Sequence, residues 1–124
     1  MQFKDILITS IILLTFDYLY LNYNKSFFSR FFQNIQGSEL QFNLYPAIIC
    51  YLLIILGLNY FIIKENRPIL DDFLLGVLIY GVYDTTNHAT LSKWTLQMTI
   101  TDSLWGGSLF AITTFIVYKL REMI

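Results

Sequence analysis

Three carboxylates stand inside apolar stretches of this 124-residue chain, Asp17, Asp84 and Asp102. An ionisable group in such a setting is costly unless it is paired, hydrated or turned toward other polar groups. Asp84 sits at helical spacing from Tyr80, Tyr83 and Asn87, all able to exchange hydrogen bonds, with His88 at the margin of the same strip and Trp105 near the border of the strip that carries Asp102. Carboxylates clustered in low dielectric repel, so at least one should hold a proton near neutral pH unless a cation is present. Two chemistries fit: a pocket binding a proton, a cation or a small polar or lipid ligand, and a small membrane enzyme using Asp84 and Asp102 as acid and base on a lipid or isoprenoid. A third reading makes the polar groups interhelical bonds in a structural membrane-assembly protein.

Each residue also has a plainer role open to it. Asp102 can cap or complement the start of its helix, Asp17 can reach water at the interface, Asp84 can serve in structural bonding alone, and His88 can be an ordinary interfacial residue. No nucleophile beside a base, histidine-rich cluster or phosphate-binding loop is present, so neither a cofactor nor a metal is expected. The single Cys50 cannot form an intrachain disulfide. Gly76, Gly81, Gly106 and Gly107 read as close-packing positions between helices, and Trp94 with the many tyrosines as an aromatic belt.

The elements that must position these groups follow from composition. The chain is 56% hydrophobic and 14% charged, with a formal net charge of −1, and its mean hydropathy is +0.55. That balance excludes an ordinary soluble core and a basic nucleic-acid-binding surface, and makes the lipid bilayer the partner. Crossing about 30 Å of hydrocarbon takes about 20 helical residues. Four stretches are expected to do so, over 6–23, 45–63, 71–90 and 96–118, the last with nothing to stop it beginning earlier, near Lys93 and Trp94. The fold class is therefore all-α membrane, a four-transmembrane-helix bundle forming one domain over 1–124.

With four spans both termini share a side with Lys4, Lys64, Arg67, Lys119 and Arg121, against Lys25, Arg30 and Lys93 on the other. The positive-inside rule then puts both termini in the cytoplasm, in a membrane of a cell, a host or a virion. Measured from that face, Asp17, Asp84 and Asp102 fall at depths of roughly 20, 18 and 25 Å, with His88 at roughly 24 Å. All would lie in the outer half of the bilayer. In the first loop Phe27, Phe28, Phe31, Phe32 and Ile35 recur at helical spacing, predicting an amphipathic helix over 25–36 that ends at Gly37 and lies in the headgroup region or packs on the mouth of the bundle.

The string Tyr83-Asp84-Thr85-Thr86-Asn87-His88-Ala89-Thr90-Leu91 followed by Trp94, then Asp102 with Trp105-Gly106, resembles the membrane proteins grouped as domain of unknown function 2177. Asp17-Tyr18-Leu19 and Leu74-Leu75-Gly76 with Tyr80 are similar to that family too. The resemblance implies a compact multi-helix membrane protein and assigns no catalytic role. A chain this small would need to form a homo-oligomer to transport anything.

Overall fold

A computed structural model describes residues 1–123 and is entirely helical apart from its connections. Helix α1 spans Phe3–Tyr23, α2 Lys25–Gln36, α3 Leu44–Leu58, α4 Ile69–Thr90 and α5 Leu96–Met123, and Asn59–Ile63 prolongs α3 as a wider, π-helical turn. Three of these, Phe3–Tyr23, Leu44–Ile63 and Leu96–Met123, are long and apolar enough to cross a membrane. Helix α4, at 22 residues, is of similar length but carries three aspartates, Asp71, Asp72 and Asp84.

Local chemistry sets the ends. Asn24 bonds back to the Tyr20 carbonyl through its side-chain amide, at 2.9 Å, and marks the junction of α1 with α2. Gly37 takes φ 75°, the left-handed conformation that glycine adopts without a Cβ penalty, and its N–H closes α2 on the Gln33 carbonyl. The α3–α4 turn passes through Asn66 at φ 53° and then Pro68, whose fixed φ suits the residue just before a helix. Helix α5 begins at Leu96, later than Lys93 and Trp94, because the chain first turns with the Trp94 N–H on the Leu91 carbonyl. Thr95 then caps the helix, its hydroxyl accepting from the Met98 N–H at 3.1 Å. Asp102, the seventh residue of α5, stands beyond that cap, so the capping role open to it belongs to Thr95.

Packing is closest between antiparallel α4 and α5. A Cβ on Gly107 would come within 2.6 Å of Val77 Cγ2, and one on Gly76 would run into the Gly106 carbonyl, so glycine is required for the two backbones to approach. Helix α1 lies along α5 and also contacts α3. It buries Asp5, Thr9, Leu13 and Asp17, one residue per turn. Leu13, Leu58, Ile63, Leu109, Phe110 and Val117 form the apolar core between these helices. The outward faces remain apolar, with Leu53, Leu78, Val82 and Phe61 each at least 60% exposed, the pattern of a surface solvated by lipid.

At the end holding both termini, Arg121 bonds Asp5, the Asn66 side chain and the Ile63 carbonyl. At the opposite end α2 folds back on the bundle. Phe31 and Phe32 meet Trp94 edge-on at 5.1 and 5.9 Å, Phe28 meets Tyr20 at 5.9 Å, and Lys93 donates to the Asn34 carbonyl at 3.2 Å. The phenylalanine face of the amphipathic helix thus covers the mouth of the bundle.

Candidate functional site

The polar residues of the sequence separate into two neighbouring groups at the end covered by α2. The first is centred on Asp17, which is 7% exposed. Trp105 of α5 donates its indole N–H to Oδ1 at 3.0 Å, and Tyr51 of α3 donates its hydroxyl to Oδ2. The indole also stacks on Tyr20, ring centroids 4.1 Å apart and planes 8° from parallel. Helices α1, α3 and α5 are therefore tied at one carboxylate. An anion accepting two directed donors is well compensated in a low-dielectric interior.

The second group is Asp84 with Asp102. Asp84 is fully buried where α4 meets α5, and Ser103 donates to its Oδ2 at 3.3 Å. Its Oδ1 has no hydrogen-bond partner. The half-buried Asp102 carboxyl faces Asp84 without an ordinary hydrogen bond joining them. Asp17, Asp84 and Asp102 are all close enough to the Tyr20 hydroxyl for their charge to act there, so the three carboxylates named from the sequence do gather in one region.

Beside them, between α3 and α4, runs a cleft of about 880 Å³. It exists because α3 packs on α1 and leaves the α4 flank open. Ile49 and Leu53 form one wall, Ile79, Tyr80 and Tyr83 the other, and Trp94 lies at its α2 end. Asp102 is the one carboxylate on its lining. Tyr80 is half-buried, its ring edge-on to Phe110 at 6.3 Å. Tyr83 is 52% exposed and meets Trp94 edge-on at 6.0 Å.

Of the eight candidates, Asp17 and Trp105 are directly bonded, Asp84 and Asp102 face each other, and Tyr80 and Tyr83 share the cleft lining with Asp102. Asn87 is half-buried and faces the Tyr83 hydroxyl, and does not itself line the cleft. His88 is exposed and touches neither group. Tyr51 and Ser103 were not anticipated. A lone hydroxyl within the apolar run Ile48–Leu56 was the available signal for Tyr51, and adjacency to Asp102 the signal for Ser103.

An all-helical chain with lipid-compatible outer faces and its carboxylates turned inward is a helical membrane protein. The chain belongs to the family described as predicted membrane protein, domain of unknown function 2177, whose model matches residues 2–119. The resemblance carried by the third-stretch string is thereby borne out. No curated protein and no solved structure matches the chain.

Proposed function

We propose that this is a four-span membrane protein whose α3–α4 cleft holds an amphiphile with a hydrogen-donating head, an amine or a hydroxyl, against Asp102. The ligand's apolar chain lies along Ile49, Leu53 and Ile79. The composition of the cleft carries this reading: Asp102 is its one carboxylate, the lining brings no lysine or arginine, and the rest is apolar apart from Tyr80, Tyr83 and Cys50. Such a wall favours a cationic or donor head over a phosphate. Leu53 and Ile79 are 66% and 41% exposed, consistent with a cleft open sideways to the acyl chains.

Helix α4 is the fourth span in this reading. Its 22 residues reach about 33 Å at helical rise. Its composition is made more polar by Asp72 and Asp84, both turned inward. Four spans put both termini on the cytoplasmic side by the lysine and arginine balance, with the cleft in the outer half and α2 at the outer interface.

Trp94 supplies the test. In a Trp105→Phe background it is the one remaining tryptophan, and titration with a long-chain primary amine or alcohol in uncharged detergent should change its emission saturably. Asp102→Ala should weaken binding of the amine by about tenfold, the worth of one charge-assisted hydrogen bond. Leu53→Trp, read by calorimetry, should block the cleft. Equal binding by the filled variant and the wild type would end this reading.

A further inference from the structure

A second polar layer lies nearer the termini. The register that sets Asp17 opposite Tyr51 and Trp105 sets Thr9, eight residues earlier, level with Asn59 and Thr113, each eight residues later. Asp72 joins the layer from α4, with the Thr114 hydroxyl of α5 beside it but outside ordinary hydrogen-bond geometry. All five residues are at most 1% exposed. About 12 Å of helix separates the two layers, and Leu13, Ile55 and Leu109 fill the interval.

Among the described residues, the layer holds six buried oxygens without a hydrogen-bond partner: both of Asp72, Asn59 Oδ1, and the hydroxyls of Thr9, Thr113 and Thr114. Elsewhere on these helices Ser10, Thr15, Thr85 and Thr90 bond the carbonyl four residues back. The three buried threonines do not. Asn59 spends its amide N–H on the Ile55 carbonyl at 2.9 Å, which leaves Oδ1 free as an acceptor. It also opens the π-helical turn, a distortion of the kind that recurs at functional positions. No basic side chain pairs with Asp72 among the described residues. Arg121, at the same end of the bundle, is engaged by Asp5, and the titratable group that senses Asp72 is Tyr118.

Six oxygens, one carboxylate and four neutral groups held at one level by four helices, are the kind of donor set that a hard monovalent cation takes. We propose that Asp72, Asn59, Thr9, Thr113 and Thr114 form a binding site for a dehydrated alkali cation, tested first as Na⁺. The cation neutralises Asp72 and satisfies the stranded hydroxyl and amide oxygens. Each of these otherwise carries the full penalty of an unpaired buried polar atom. The site is separate from the α3–α4 cleft and does not depend on what the cleft holds.

The purified full-length protein should melt at a higher temperature in NaCl than in choline chloride of equal ionic strength and pH. The rise should saturate, reaching about 5 °C. Asp72→Asn should abolish the difference between the two salts. Thr114→Val, which removes one oxygen and keeps the shape, should raise the half-saturating Na⁺ concentration at least about fivefold, and it decides the matter if Asp72→Asn does not fold. Leu53→Trp should leave the Na⁺ response unchanged. Identical melting of the wild type in the two salts would overturn the site, leaving Asp72 a buried protonated acid. A Na⁺ effect undiminished in Thr114→Val would overturn it as well.

Discussion

Arg121, in the last turn of α5, holds the Asp5 carboxylate of α1 at both oxygens, Nε on Oδ1 at 3.2 Å and Nη2 on Oδ2 at 2.5 Å. The pair closes the end of the bundle by joining residues 116 positions apart in the chain. Arg121→Ala strands a carboxylate that is 4% exposed. It is expected to cost about 2 kcal/mol, the range for a hydrogen bond to a charged group. Thermal melting in detergent checks this, and Asp5→Asn combined with Arg121→Ala should cost less than the two single changes added together.

The Asp17 node should be graded by how many donors lose their acceptor. Tyr51→Phe removes one donor and should destabilise by about 1 kcal/mol, whereas Asp17→Ala abandons both Tyr51 and Trp105 and should cost about 3 kcal/mol. The Asp17 change should also shift Trp105 emission, because the indole loses its hydrogen bond.

Two glycines of α4 should respond in opposite directions to the same substitution. At Gly81 a Cβ meets only Ser103 Oγ at 3.6 Å, an ordinary contact, so Gly81→Ala should stabilise by about 0.5–1 kcal/mol through helix propensity. At Gly76 a Cβ meets the backbone of α5, which cannot swing aside, and Gly76→Ala should destabilise by about 2 kcal/mol or more. Matched melting curves of the two variants give the comparison directly.

Trp94 holds α2 on the mouth of the bundle through Phe31 and Phe32. Each aromatic pair contributes about 0.5–1.5 kcal/mol beyond its buried area. Trp94→Ala should therefore speed amide exchange across Lys25–Gln36 by about tenfold while exchange in α4 and α5 stays nearly unchanged. Uniform acceleration throughout the chain would show that α2 is not anchored at this point.

Helix content, the short amphipathic segment ended by Gly37 and the inward carboxylates were legible because they depend on neighbours three and four residues apart. Along the α4 strip the structure buries Asp84 fully and Tyr80 in part, and leaves Tyr83 52% exposed beside the cleft. On α1 the buried face runs through Asp5, Thr9, Leu13 and Asp17, while Ser10, two turns before Asp17, bonds its own helix. The start of α5 is not fixed by the sequence pattern, which leaves it free to begin near Lys93 and Trp94; the available signal is Thr95, whose hydroxyl competes for the first free N–H groups.

Periodicity and composition in the chain determined that it is helical, lipid-facing on its outer surfaces and provided with costly acids that must be turned inward. Those are local or additive properties. Only the tertiary structure decided that Tyr51 answers Asp17, that Ser103 and Asp102 answer Asp84, and that α3 leans on α1 so that a cleft opens beside α4. Each of these depends on the register between helices far apart in sequence. Register is set by side-chain volumes at the contacts, above all by Gly76, where the absence of a Cβ lets two backbones meet, and by Gly106, where it makes room for the Tyr80 ring.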